Sequence, residues 1–147
     1  MWEPVLASAL GISLEVDRDA VEAAAAAHGL PPMRWPERWP PDTDLAMRAA
    51  TFAKRTGRVV AFSLAAMRQQ FLAGRDMSVE DNVLIAAAAC ELHPRAVLSA
   101  VRTRAVAAAL DESTERARAP GIAPLPAFAV VRASIAGPPA IDEIAHG

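Results

Sequence analysis

Proline placement limits what this chain can fold into more than any other feature. Five prolines fall within residues 31–41, and Pro120, Pro124 and Pro126 crowd a second short stretch. Each proline fixes φ at about −65° and removes a backbone donor, so neither stretch can continue a helix. The first ends in a near-tandem Arg34-Trp35-Pro36, Arg38-Trp39-Pro40 and reads as extended. Between the two, residues 42–119 contain one proline, Pro94, placed where it can open a helix.

The spacing predicts five or six helices in a row over residues 17–119. Asp17 reads as an N-cap, with Val21 and Ala24/Ala25 on one face and Gly29 as the stop. Asp42 or Thr43 can cap a second helix that runs toward Gly57. From Val59 to Ala73, the residues Val60, Leu64, Met67 and Phe71 form one apolar stripe of an amphipathic helix. Ser78 with Asp81 resembles a capping box for a helix through Glu91, and Val101 to Arg118 continues in helical register after a short helix from Pro94. Residues 1–16 are mixed, with a short extended piece at Trp2–Leu6.

The pattern changes after residue 119. Ala127-Phe128-Ala129-Val130-Val131 reads as a buried strand, with Arg132-Ala133-Ser134-Ile135 as its hairpin partner. A last short helix begins near Gly137, with Ile141 and Ile144 on one face. Two strands do not make an independent sheet. The chain is therefore expected to be poorly stable as a monomer.

With 147 residues, the chain suits one domain able to bury roughly 68–70% of its unfolded surface. An apolar content of 53% with 22% charged residues excludes wholesale disorder. The apolar runs are too short for a membrane span, and the N-terminus has no basic region before an apolar run, so no secretory signal is visible. The net charge of −2 gives no general attraction to nucleic acid. One cysteine, Cys90, excludes a disulfide or a CxxC site within these residues and points to the cytoplasm.

Few residues suggest chemistry. Trp35 and Trp39, in a proline-fixed segment, suit either the lining of a ligand cleft or the covering of the bundle's edge. Asp42 and Thr43 read first as helix caps. Cys90 and His93 stand three apart, yet a nucleophilic thiolate needs positive surroundings, and Cys90 shares its face with Val83, Ala86 and Ala87. A buried structural cysteine is the better reading. His28, His93 and His146 are too scattered for a metal site. Arg95, Arg102 and Arg104 do not make a DNA-reading helix beside Glu80, Asp81 and Glu91.

Four segments together resemble one family. Gly121-Ile122-Ala123-Pro124-Leu125-Pro126-Ala127-Phe128-Ala129-Val130 is similar to the G-x-x-G-V-P-T-F-x-V segment of DsbA-like thioredoxin-fold proteins. Phe71-Leu72-Ala73-Gly74-Arg75-Asp76-Met77-Ser78 resembles the F-x-x-G-R-D-I-S run of their inserted helical domain. Trp39-Pro40-Pro41-Asp42-Thr43-Asp44-Leu45-Ala46-Met47-Arg48 and Trp2-Glu3-Pro4-Val5-Leu6 resemble stretches of one branch, the kappa-class glutathione transferases and 2-hydroxychromene-2-carboxylate isomerases.

The resemblance implies a mostly α fold. Residues 1–16 would be a remnant of a thioredoxin strand and its connector, residues 17–119 the helical insert, and residues 120–147 a C-terminal ββα piece of an incomplete thioredoxin domain. It implies a cis Pro126, with the backbone of Leu125 pairing to a bound cysteine or glutathione, and it makes Trp39 and Asp42 further ligand-binding candidates. The family's catalytic Cys or Ser, on an N-terminal βαβ unit, has no counterpart here, and Cys90 falls in the insert. Three departures stand out: Asp42 replaces the usual Asn, Pro124 stands where the G of G-V-P often is, and Pro138-Pro139 stand where the branch often has an Asp-Arg pair.

Two functions follow as expectations. The first is a thiol- or glutathione-linked oxidoreductase or isomerase in its complete form, with a small thiol substrate and glutathione as cofactor. The second is a non-catalytic helical module that pairs with a partner chain through the strand edge at Phe128–Val131, a homodimer being the expected assembly.

Overall fold

The computed structural model describes residues 2–119, 127–130 and 133–136. Six helices follow one another: α1 (Arg18–Ala27), α2 (Asp44–Arg55), α3 (Val59–Phe71), α4 (Glu80–Ala89), α5 (Pro94–Val101) and α6 (Arg104–Arg118). Two short strands, β1 (Ala127–Val130) and β2 (Ala133–Ala136), pair antiparallel with Ala127 opposite Ala136. The chain is mostly helical. Leu125, Pro126 and the helix expected after Gly137 lie outside the described residues.

Local chemistry sets most helix ends. Asp17 accepts the Ala20 amide at 3.1 Å and starts α1, while His28 Nδ1 lies 2.8 Å from the Ala24 carbonyl at its end. Asp42 accepts the Asp44 amide at 3.0 Å and opens α2, and Thr43, at the N-cap position, makes no capping bond. Pro94 sits in the first turn of α5, where its missing N–H costs nothing.

Two expectations need correction, and the direction of the α3 stripe is settled. Helix does not run unbroken from Val101 to Arg118. Thr103 turns extended, at φ −79° and ψ 144°, and its hydroxyl accepts the Val106 amide to start α6 afresh. Nor do Ser78 and Asp81 form a capping box. Val79 is the N-cap of α4 and has no side-chain bond. Ser78 instead donates both its amide and its hydroxyl to Asp76 Oδ1, at 2.8 and 2.6 Å. Ser78 thus lies one residue before the N-cap, in the turn that Asp76 closes. Finally, the apolar stripe of α3 does not face the core. Val60, Leu64 and Met67 are 55%, 50% and 47% exposed, and Phe62 is the buried residue of this helix. Period alone identifies an apolar face; it does not say what the face meets.

The core closes around α2, which packs against α3, α4, α5 and α6. Its buried face is Ala46, Ala49, Ala50 and Ala53, with Thr51 returning its hydroxyl to the Met47 carbonyl at 2.8 Å. Helix separation depends on the side chains at the contact. An alanine face lets several helices approach one axis closely, and larger residues from the neighbours, among them Phe62, Val83, Val97 and Val101, fill the spaces left around it.

The N-terminal segment is strapped across this bundle. Residues 2–6 have no regular secondary structure, and residues 7–11 form a turn. Thr114 Oγ1 accepts the Leu6 amide at 3.1 Å, and Ser113 donates its hydroxyl to the Pro4 carbonyl. Both side chains are buried in α6, so the strap supplies partners that water cannot.

Ala53 is fully buried, so Ala53→Leu should overpack the α2 contacts and cost about 1–3 kcal/mol by urea unfolding. Ala23→Leu, on the exposed face of α1, should stay within about 0.5 kcal/mol. The Ser78 hydroxyl, before any other influence, holds the Asp76 carboxyl below its ordinary value. A depressed carboxylate adds stability above the unfolded pKa and loses it as pH falls. The stability difference between the native protein and Asp76→Asn should therefore shrink below about pH 4.

Candidate functional site

The proline-rich segment builds a rigid aromatic cluster. Pro36 and Pro41 are buried and anchor it, and the Arg34 amide donates to the Phe71 carbonyl at 2.6 Å, fixing the segment to the end of α3. Gly74 turns the chain beside this segment at φ +66°, a conformation that favours glycine, and a Cβ there would meet the Trp35 carbonyl oxygen at 3.4 Å, an ordinary contact. The Trp39–Pro40 peptide bond is cis, whereas the cis bond expected at Pro126 lies outside the described residues.

Three rings meet in this corner. Trp35 and Trp39 stack edge to face with centroids 5.0 Å apart, and Phe71 lies 5.6 Å from one and 5.8 Å from the other. Edge-to-face pairs of this kind add about 0.5–1.5 kcal/mol beyond burial. Each indole N–H has a partner: Trp35 donates to Glu22 at 2.6 Å and Trp39 to the Leu14 carbonyl at 3.1 Å. The Arg18 guanidinium lies 5.1 Å from the centre of the Trp35 ring, within cation–π range. Both tryptophans are half-buried. They therefore clamp α1 to the end of α3 and keep part of each ring open to solvent.

Of the other sequence candidates, Asp42 lies exposed at the start of α2, three residues beyond Trp39, with its carboxylate committed to the Asp44 amide. Leu125 and Pro126 lie outside the described residues. The structure brings Trp35 and Trp39 together with Phe71, a residue that sequence reading had assigned to the α3 stripe. It also adds Arg18 and Glu22. Their spacing of four on α1 was the available signal, since it puts both on one helix face.

Cys90 is buried at the end of α4, where its thiol donates to the Ala87 carbonyl at 3.2 Å. Burial pushes this thiol above its ordinary pKa, outweighing the nearby Arg58 charge. His93 does not reach it; His93 Nδ1 accepts the Arg95 amide and caps α5. Arg58 donates instead to the Cys90 carbonyl at 3.3 Å and to Glu91 at 2.7 Å, closing the end of α4. The pair is not a nucleophilic dyad.

Two clefts lie among the described residues. One, of about 230 Å³, lies between the N-terminal strap, α2 and α6, where Glu3 bridges Lys54 and, at 3.7 Å, Arg116. The other, of about 330 Å³, lies between α3 and α4 and is lined by Leu64, Ala65, Arg68, Gln69, Ala89 and Cys90, among others. The side-chain oxygen of Gln69 is buried with no donor among the described residues. Among the described residues no group of three or more His, Cys, Asp or Glu is placed to hold a metal ion, and no helix is long and apolar enough to cross a membrane.

No family model and no curated protein matches the sequence. Among the described residues, what the fold and site define is a bundle of α2 to α6, with α1 held at its edge through Trp35, an antiparallel strand pair and a proline-fixed aromatic corner.

The buried, hydrogen-bonded thiol should resist modification. With an aromatic disulfide reagent at pH 8, Cys90 should react at least about tenfold more slowly in the native protein than in denaturant. Equal rates would mean an accessible thiol.

Proposed function

We propose that this chain is the helical domain and C-terminal strand pair of a DsbA-like protein, binding and orienting a small thiol- or glutathione-linked ligand without supplying the nucleophile. Glutathione is the cofactor this reading names, and the cytoplasm is the setting it assumes. The observation that carries it is the aromatic corner. Trp35 and Trp39 are fixed by prolines, by Phe71 and by their own N–H bonds, so a ligand stacking on their open parts would lose little freedom in the protein. The element order supports the same reading. A helical bundle precedes two antiparallel strands, and β1 begins directly after Leu125 and Pro126, the residues whose backbone the resemblance puts against a sulfur ligand.

Cys90 has no part in this chemistry. A thiol held in its protonated form by burial, and bonded to a helix carbonyl, neither attacks a disulfide nor stabilises a sulfur anion. Any covalent step belongs to a Cys or Ser outside these residues, and this chain's share is recognition.

A second reading, a non-catalytic module that recruits a partner through its strands, is favoured by the two-stranded sheet of order β1-β2. A strand with an unpaired edge is a template for another chain.

An NMR titration with reduced glutathione separates the two. Shifts at Leu125, Ala127 and the Trp39 indole that saturate together support ligand binding, and Trp39→Ala should weaken that binding about fivefold or more. Silence at all three positions up to 10 mM glutathione, about the upper range of weak specific binding, would overturn the ligand reading and leave the partner-recruiting module.

A further inference from the structure

Helix α1 stands apart from the packing that joins α2 to α6, and none of its residues is buried. The chain is fixed on both sides of it. Before it, α6 holds the strap, with Thr114 and Arg118 bonded to the Leu6 amide and the Ala9 carbonyl. After it, the Arg34 amide is bonded to the Phe71 carbonyl. Between these anchors, and apart from bonds within the segment and its end turns, two hydrogen bonds join residues 13–28 to the rest of the described chain. Both come from the aromatic corner, Trp35 donating to Glu22 and Trp39 to the Leu14 carbonyl. The Arg18 guanidinium over the Trp35 ring is the third tether, and no ion pair among the described residues adds to them.

Three tethers that converge on two rings should let go together. The Trp35–Glu22 bond is exposed and the Trp39–Leu14 bond only partly buried, so water competes for both N–H groups. Nothing lies within 4 Å of where a Cβ would stand at Gly11 or Gly29, the turns that flank the segment, so its hinges are unobstructed. Isolated helices shorter than about 12–15 residues are marginal in water. With 10 residues, α1 depends on docking for its own backbone bonds. The docked segment also covers groups that a ligand at this corner can use: one face of Trp35 under Arg18, and the N–H donors of both indoles.

We propose that residues 13–28 are a flap on the aromatic corner that opens as one unit and uncovers that ring face and those two donors. A ligand that gains them in the open form shifts the flap toward opening. This control of binding rests on the function proposed for the corner; the opening itself does not.

The test is hydrogen exchange of the full chain followed by NMR, which resolves each indole N–H. The amide of Val21, bonded within α1, those of Ala24 and Ala25 in the middle of the helix, and the Trp39 indole should report one opening equilibrium once corrected for intrinsic rates. They should exchange at least about a hundredfold faster than the Ala53 amide of α2. Glu22→Ala should speed all of them by one common factor of about five, the loss of one exposed bond, and leave Ala53 unchanged. Arg18→Ala should act in the same direction by about twofold or more. Alanine is the best helix former, so fraying of α1 alone would be slowed by either substitution. Saturating reduced glutathione should speed the α1 amides, the reciprocal of its preference for the open form.

Exchange at Val21 as slow as at Ala53 overturns the flap. So does a Glu22→Ala protein whose α1 amides slow down or whose Trp39 indole is unmoved. Glutathione that binds and slows the α1 amides overturns the control of binding. Coupled exchange in a chain that binds no glutathione overturns the ligand function of the corner and sustains the flap.

Discussion

The whole bundle depends on how closely other helices approach α2. Four of its buried positions are alanine, and a helix with so little bulk on one side can be surrounded by α3, α4, α5 and α6 without the gaps that larger side chains would leave between axes. The arrangement has a cost. Alanine buries little apolar area, so each contact contributes modest transfer free energy, and stability must come from close packing and from the larger residues the neighbours bring inward. Phe62, Leu110, Val83, Val97 and Val106 are the largest side chains in the fully buried set apart from Pro36. They come from α3, α4, α5 and α6, so the helix at the centre provides the space and those around it provide the bulk.

Arginines hold the periphery of that packing in register. Arg48 reaches the Val101 carbonyl at 3.4 Å, Arg55 the Ala105 carbonyl at 2.8 Å, and Arg58 the carbonyl of Cys90. Each crosses from α2 or the start of α3 to the end or beginning of another helix. Helix ends leave carbonyls without intrahelical donors, and the guanidinium fork can satisfy one while also meeting a carboxylate, as Arg48 does with Asp44 and Arg58 with Glu91. Exposed ion pairs contribute little to stability by themselves. The value of these lies in orientation: they tie α2 and the start of α3 to the end of α5, the start of α6 and the end of α4.

The aromatic corner depends on the same closure. Phe71 ends α3, and Trp35 and Trp39 meet it where the Arg34 amide ties the proline-rich segment to the Phe71 carbonyl. Met77 and the Asp76–Ser78 turn, a few residues later, bring the chain back into the core at the start of α4. The stretch from Phe71 to Ser78, one of the segments that resembles the DsbA-like family, thus has structural tasks at several positions: ring contact at Phe71, a positive φ at Gly74, and turn and burial at Asp76 and Met77. The aromatic surface stays partly open beside the start of α2, while burial raises the pKa of the Cys90 thiol.

The sequence by itself determined where helices could and could not be. Proline and glycine act through φ, and Asp17, Pro94 and Gly29 act on their nearest neighbours, so their effects need no tertiary context. It also determined that Cys90 would be a buried thiol, because the spacing puts it on the face of Val83, Ala86 and Ala87. Some local choices were not read from the pattern: Val79 rather than Ser78 became the N-cap of α4, and Thr103 capped a new helix within one expected span. Tertiary structure decided which faces turned inward. The α3 stripe was legible as a stripe, but its outward direction was not, because a period of 3.6 residues marks a face without saying which side of the bundle that face will see. That choice was made when Phe62, on the opposite side of the same helix, found the alanine surface of α2 and its neighbours. A large ring against small side chains fills space that Leu64 and Met67 then no longer compete for, and the stripe is left outside, where only another surface can cover it.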